Sequence, residues 1–479
     1  MTGREQEQEG LERGLGTGLG KGLEQRFGQV SSLHFVGIGG VSMQALARWC
    51  RLEGFEVSGC DAGASTALEQ LASEGVKTDG THDPKHAQCA DVFIHSMAVP
   101  YDHPELQAAR AAGKPILKRI ELLGELFKLR DALAVTGTHG KSTTSAMLTT
   151  LLLAVDPTSS AQLGAELPLI GGTMHHGEGR WLAAEVDESD PGFADLSSKI
   201  GVVLNIEDDH IAGEYDERRN YHASLEDLQR ATQRFAMACE TLVLCADWPG
   251  LEELLAQHPK RVTYGLQPGC DYRVTDLVLR PASSSFTLER PEREPLKVRL
   301  SVPGVHNALN ASAAISSLES AGFDAEPALA ALESFTGVGR RWQVWGELDG
   351  ALIIDDYAHH PTEVRAMLEI AKATGRRVRA VLQPHRWVRT ARHWPALAQA
   401  AALADEVLVL DIYAAGEKAI DGVSPALIVD RIVELGTAAA QHDSKSALDY
   451  LRGSTAPGDL VITLGAGDVW RIAAALVGD

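Results

Sequence analysis

Residues 134–144, Ala-Val-Thr-Gly-Thr-His-Gly-Lys-Ser-Thr-Thr, leave little freedom in how the surrounding chain folds. The apolar run 133–136 reads as a buried strand, Gly137 and Gly140 as a tight turn, and Ser142 or Thr143 as the opening of a helix. That order turns successive backbone N–H groups and the positive end of a helix dipole toward an anion. Lys141 is spaced to reach terminal phosphates, and the Ser142 hydroxyl to bind Mg²⁺. The commoner spacing of such loops needs glycine at position 135, where this chain has Val135.

Composition narrows the class. A chain of 479 residues predicts about three domains at roughly 150 residues each. The net charge of −21 argues against a nucleic-acid partner, because a phosphate backbone needs a basic footprint. It leaves room for anionic small substrates, which local glycine loops and arginines can hold. Six cysteines (Cys50, Cys60, Cys89, Cys239, Cys245, Cys270) form no C-x-x-C pair, so the pattern indicates neither a disulfide framework nor a zinc site. A reducing, cytoplasmic setting fits. No apolar run reaches the roughly 18 residues that span a bilayer, so no membrane partner is expected. Residues 1–30 are rich in Gly, Glu, Gln and Arg and lack the apolar stretch of a signal peptide. They read as a flexible tail, with the fold starting near Ser31.

Three α/β units follow. The first has a strand over 33–36, the glycine turn Gly37-Ile38-Gly39-Gly40-Val41-Ser42, an apolar helix over 43–52, and a strand over 56–59 running into Asp61. This is close to a dinucleotide-binding fingerprint, with Ser42 where a third glycine is usual. Strands over 92–95 and 114–117 extend the sheet, and a helix over 119–129 leads out. The second unit starts at the phosphate loop. Glu185 sits in an otherwise apolar strand, so it should be paired or metal-bound. Another strand ends in an acidic cluster with His210. Asn307 and Asn310 lie one helical turn apart; their amides either read a flat base edge or cap the helix. In the third unit, from about Arg341, four strands end in polar or glycine-rich motifs, and ligands of open parallel sheets bind at such ends.

The separated motifs at 37–43, 137–144, 185–190, 205–210, 306–310, 339–342, 355–361 and 385–389 together resemble the Mur ligase family, in its alanine-adding branch. The short Gly-Thr-His-Gly-Lys-Ser loop points the same way, toward ligases that use ATP to activate a carboxylate. The resemblance implies an α/β fold of three domains. These are a Rossmann-like UDP-binding domain over 31–130, a central P-loop ATPase-like parallel sheet over 131–338, and a Rossmann-like amino-acid-binding domain over 339–479. It implies that L-alanine is joined to UDP-N-acetylmuramate, with ATP as co-substrate and Mg²⁺ as cofactor, by a monomer or homodimer.

Site residues follow by resemblance. Gly37, Gly39, Gly40, Ser42, Asp61 and Ser96 would bind the UDP substrate. The loop Gly137, Thr138, His139, Gly140, Lys141, Ser142 and Thr143 would hold the ATP phosphates. Ser142 with Glu185 would hold one Mg²⁺, and His210 with Glu185 a second. His306, Asn307 and Asn310 would face the adenine, with Arg341 and Asp356 reaching the nucleotide from the third domain. Tyr357, His359, Arg386 and Arg389 would line the alanine and acyl-phosphate site; Lys141, His210, Arg341, Arg386 and Arg389 are the catalytic candidates. If the chain turns helically at 386, Arg386 and Arg389 project to one side. Sister ligases place a carbamylated lysine after the metal histidine, whereas no lysine occurs here between Ile211 and Glu240. A peptide-recycling ligase sharing the same loop and a nucleotide-binding sensor without ligase activity remain open alternatives.

Overall fold

The computed structural model describes residues 18–63, 65–211 and 222–478. Within them the chain forms two compact units. One comprises the residues up to Glu207 with Ile211–Tyr264 and Ala313–Ala328; the other comprises Asp208–His210, Gly265–Ser312 and Leu329 onward.

The first unit contains two parallel sheets. Strands β1 (Ser32–Val36), β2 (Glu56–Cys60), β3 (Lys77–Asp79), β4 (Val92–His95) and β5 (Ile116–Lys118) lie in the order β3-β2-β1-β4-β5. Strand order reverses between β1 and β4, so the glycine turn after β1 opens at a topological switch point, where α/β sheets bind ligands. The helix Arg119–Leu129 leads to the second sheet. Its strands are β6 (Asp131–Thr136), β7 (Ser160–Leu167), β8 (Gly172–His175), β9 (Trp181–Glu185), β10 (Ile200–Val203), β11 (Thr241–Cys245) and β12 (Arg261–Gly265). The register sets Val203 beside Thr136 and Glu185 beside Val135, so three polar segments leave one edge together. Only β8 runs antiparallel there.

The second unit opens with an antiparallel meander, β13 (Tyr272–Arg280), β14 (Ser283–Arg290) and β15 (Arg293–Leu300). Beyond it, β16 (Gln343–Leu348), β17 (Ala351–Asp356), β18 (Arg377–Leu382), β19 (Glu406–Leu410), β20 (Ala438–His442) and β21 (Asp459–Leu464) form a sheet in the order β16-β17-β21-β18-β19-β20. All but β16 are parallel. Strands β17, β21, β18 and β19 carry apolar residues on both faces, and a separate apolar core covers each face. Leu464 pairs with both Asp356 and Leu382, which aligns the carboxyl ends that carry the polar motifs.

The amino-terminal expectation needs correction. Leu19–Phe27 is a helix, Leu19 and Leu23 are fully buried, and Arg26 bonds Glu121 at 3.1 Å and Glu125 at 3.2 Å. The flexible-tail reading of 1–30 therefore fails over its last third, and the fold begins before Ser31. Two leucines four residues apart make an apolar stripe that the glycine-rich composition masks. Residues 1–17 lie outside the described residues, as do 212–221, on which part of the missing-lysine argument falls.

Candidate active site

The phosphate loop is built by its neighbours. Gly137 has φ +138°, and a Cβ there would lie 3.0 Å from the Asn205 nitrogen, so the position requires glycine. Asn205 clamps the loop: its Oδ1 accepts the His139 N–H at 2.7 Å and its Nδ2 donates to the His139 carbonyl at 2.9 Å. The buried Thr138 hydroxyl accepts the Glu207 N–H at 2.9 Å, and the His139 ring meets Glu207 at 2.8 Å. Gly140, left-handed at φ 85°, precedes a helix that opens at Lys141, one residue before the expected start, with no side chain capping it. The uncapped N–H groups of that first turn are what an anion would take.

Lys141 does not stand free. Its ammonium meets Glu188 at 2.6 Å and donates to the carbonyls of Gly137 at 2.8 Å and Thr138 at 3.2 Å. Burial works against its charge, yet Glu188, with Asp187 and Glu185 behind it, holds the ammonium above its ordinary range. Glu185 accepts the Gly164 N–H at 3.0 Å, and a Cβ on Gly164 would sit 2.1 Å from its Oε1. No ion pair to Glu185 occurs among the described residues, so its carboxylate keeps lone pairs for a cation. Ser142 stands half-buried in the same first turn.

The first glycine loop is tied differently. Gly37, at φ 80°, would bring a Cβ within 2.8 Å of the Ser96 hydroxyl. Asp61 accepts the Gly39 N–H at 2.6 Å, and a Cβ on Gly39 would meet that same oxygen at 2.6 Å. Thus Gly37, Gly39, Asp61 and Ser96 do come together. An open cleft of about 280 Å³ lies beside them, lined by residues 40–43 and 96–98 and by Arg119, Asp187 and Ser189. Arg119, buried and 3.8 Å from Asp187, is the one cation in that lining, and sequence reasoning passed over it.

In the second unit the strand ends carry the remaining candidates. Asp356 is buried and accepts the N–H groups of Trp342 at 2.7 Å and Ala358 at 2.8 Å. Burial pushes its carboxyl up to about 6 against the pull of Arg341. Arg341 lies 5.0 Å from the Tyr357 ring and 3.7 Å from Glu363. Its neighbour Arg340 donates to Asp355 at 3.0 Å and to the carbonyls of Gly465 at 2.6 Å and Gly467 at 2.9 Å. Tyr357, His359, His385 and Tyr413 form a run of ring contacts at 5.4, 5.6 and 5.5 Å. Burial lowers His306 to about 4 and His359 to about 3, with the Arg341 and Arg389 charges adding to each in turn. Asn307 and Asn310 share a face as expected; Asn310 donates to Asn307 at 3.3 Å, and Asn307 donates to the Pro303 carbonyl at 2.7 Å.

The shared projection of Arg386 and Arg389 is not what the structure shows. Arg386 precedes the helix Trp387–Ala401 with φ 73° and forms an ion pair with buried Glu417. Arg389, inside the helix, forks onto Asp209 at 2.9 and 3.1 Å and contacts His385 at 3.1 Å. His210, at φ 57°, donates its N–H to Asp209 at 2.9 Å. Sequence reasoning missed Glu188, Asn205, Asp209, Arg340 and Glu417. Glu188, Asn205, Asp209 and Arg340 stood inside motifs already singled out; Glu417 carried no signal.

Comparison with known proteins covers nearly the whole chain. Family models match in sequence: the Mur ligase family catalytic domain over 32–130, the Mur ligase middle domain over 135–318, and the Mur ligase glutamate ligase domain over 340–467. The UDP-N-acetylmuramate–L-alanine ligase of Deinococcus radiodurans is 42% identical over 93% of both chains, and that of Acidothermus cellulolyticus 39% over 91% of both. The crystal structure of the UDP-N-acetylmuramate–alanine ligase of Thermotoga maritima superposes with a TM-score of 0.78 at 29% identity, covering 93% of this chain and 98% of that one. A murein peptide ligase from Psychrobacter arcticus shares the fold, with a TM-score of 0.69 at 22% identity and coverage of 93% and 98%. By its sequence, its three α/β domains and its phosphate loop, the chain belongs to the Mur ligase family.

Proposed function

We propose that the protein joins L-alanine to the carboxylate of UDP-N-acetylmuramate at the expense of ATP, releasing ADP and phosphate, in peptidoglycan precursor synthesis. The observation that carries this reading is Lys141, charged and half-buried at the mouth of an uncapped glycine loop, in a chain related along nearly its full length to ligases of that name. A carboxylate resists amines because its leaving group would be oxide. Transfer of the γ-phosphoryl group to it gives an acyl phosphate and ADP. The alanine amine then adds to the acyl carbon, and the tetrahedral adduct expels phosphate as it loses the amine proton.

Phosphoryl transfer needs positioning and charge neutralisation above all. The loop N–H groups and Lys141 hold the phosphates in this reading, and the first glycine loop with Asp61 and Ser96 holds the UDP end. Ser142 and Glu185 are the hard oxygen donors suited to Mg²⁺, and the lone pairs left on Glu185 fit that use. His210 is the further metal ligand of this scheme. When bound, Mg²⁺ neutralises charge on the phosphates. His306, Asn307, Asn310, Arg341 and Asp356 are assigned to the nucleotide, and Tyr357, His359, Arg386 and Arg389 to alanine and the acyl phosphate. No helix among the described residues is long and apolar enough to cross a membrane. We place the enzyme in the cytoplasm as a monomer or homodimer, without nucleic-acid or membrane partners.

Phosphate release assayed with each substrate omitted in turn tests this. Release that requires both UDP-N-acetylmuramate and L-alanine is expected. Release supported by a peptide but not by alanine would mark a recycling ligase, and no release with either would leave a nucleotide-binding protein.

A further inference from the structure

A second cluster lies in the first domain, away from the phosphate loop. Glu105, fully buried, is ringed by His34 Nε2 at 2.9 Å, His86 Nδ1 at 2.9 Å, Cys60 Sγ at 3.1 and 3.2 Å, and His82 Nδ1 at 3.2 Å. One ligand atom each from His34, Cys60, His86 and Glu105 lies within 4.8 Å of all the others. They arrive from β1, the end of β2, the short helix Pro84–Gln88 and the helix Pro104–Ala111.

The outer nitrogens decide what the centre needs. His86 Nε2 faces the Asp79 carboxylate at 3.3 Å, and His34 Nδ1 faces the Ser58 hydroxyl at 2.8 Å. An ionised carboxylate only accepts, so its approach favours the His86 tautomer with the proton on Nε2. A neutral His86 then turns the bare lone pair of Nδ1 onto Glu105, and two lone pairs at 2.9 Å repel. A positive charge at the centre removes the conflict. Outer carboxylates and hydroxyls that orient imidazoles are the usual second support of metal-bound histidines.

We propose that His34, Cys60, His86 and Glu105 bind a zinc ion. One thiolate, two imidazoles and one carboxylate are a borderline-soft set that zinc takes in a tetrahedron. Bond lengths of about 2.0–2.3 Å put tetrahedral ligand atoms roughly 3.3–3.6 Å apart. The contacts to Glu105, at 2.9 to 3.2 Å, fall a little short of that value, and every other pair lies within 4.8 Å. Four protein ligands, three buried and His86 half-buried, leave no open position, so the ion is structural. The backbone carbonyl of Cys60 accepts the N–H groups of Gly37 at 2.9 Å and Ile38 at 3.0 Å, so the site braces the first glycine loop from behind. Cysteine spacing gave no sign of it, because the ligands come from four separate elements.

The full chain, exchanged into Co²⁺ with excess Mg²⁺ present, is expected to bind one cobalt at this site and to show a thiolate-to-cobalt charge-transfer band in the near ultraviolet. Cys60→Ser abolishes the band, whereas Cys89→Ser, at the edge of the cluster, keeps it. Elemental analysis after zinc loading and desalting should give one zinc per chain, lost in His86→Ala. Chelation should lower the melting temperature of wild type and leave that of His86→Ala unchanged. If Cys60→Ser fails to fold, the wild-type cobalt spectrum alone decides. A wild type with no thiolate band, or a band lost with Cys89 rather than Cys60, would overturn the assignment. None of these readouts depends on ligase activity.

Discussion

The two glycine loops of the first unit share a strand–turn–helix order and differ in charge. Each follows a parallel strand, each has glycine at a position where a Cβ would collide, and each leads into a helix that no side chain caps. In the phosphate loop the side chain that closes the turn is a cation, Lys141, held by Glu188. In the first loop it is an anion, Asp61, which takes the Gly39 N–H for itself. The device that presents N–H groups is thus common to both. In the proposed function, the charge placed behind the loop is what distinguishes the polyphosphate site from the site for a nucleotide sugar.

The sharpest way to break that comparison is Lys141→Ala. Phosphate release should fall at least about a hundredfold, as expected when a main charge on the transferred group is removed. Binding of UDP-N-acetylmuramate, followed by calorimetry, should stay within about twofold. Equal loss of both would mean that the loops are not independent. Thermal melting accompanies this test, because the variant also strips buried Glu188 of its partner.

Gly39→Ala probes the other loop. Its methyl group would meet Asp61 at 2.6 Å, so KM for the UDP substrate should rise about tenfold while KM for ATP holds. Asp61→Asn sharpens the contrast: the amide oxygen still accepts the Gly39 N–H, and KM should move less than about threefold. A larger change would show that the charge itself matters there.

The second unit supplies a site held by neutral histidines. Unfolded histidine protonates near 6.5, whereas folded His306 waits until about 4 and His359 until about 3. Below pH 6.5 the unfolded chain therefore binds more protons, and stability falls as pH drops toward 4. The slope should be on the order of 1 kcal/mol per histidine for each pH unit, read from thermal melts. Melts that stay flat across that window would remove the neutral-histidine account.

The smallest effect on turnover is expected from deleting residues 1–28. Phosphate release should change by less than about twofold, because neither loop is touched. The melting temperature should drop by several degrees, since Leu19 and Leu23 each lose about 2 kcal/mol of burial. An unchanged melting temperature would return the segment to the status of a tail.

The loops were legible in the sequence because their parts are covalent neighbours: strand, glycine and helix follow one another within a dozen residues. Strand ends were legible for the same reason, and the registers of β17, β21, β18 and β19 align them on one edge. Partners were not. Arg389 finds Asp209 across 180 residues, and Glu105 finds His34 across 71, through topology that no local period records. The i, i+3 spacing of Arg386 and Arg389 misled because the first residue sits at positive φ, outside the helix that holds the second. Leu19 and Leu23 were hidden by composition, which averages away a single pair.

The bond between Lys141 and Glu188 makes nucleotide entry an exchange. A phosphate that takes the ammonium from Glu188 leaves that carboxylate buried without its counter-ion. Something positive has to take the vacated place, either a metal ion arriving with the nucleotide or a proton from solvent. ATP affinity is therefore linked to Mg²⁺ activity and to pH from the first encounter, before any bond is made or broken. Free nucleotide, stripped of its cation, meets a loop already satisfied by its own carboxylate.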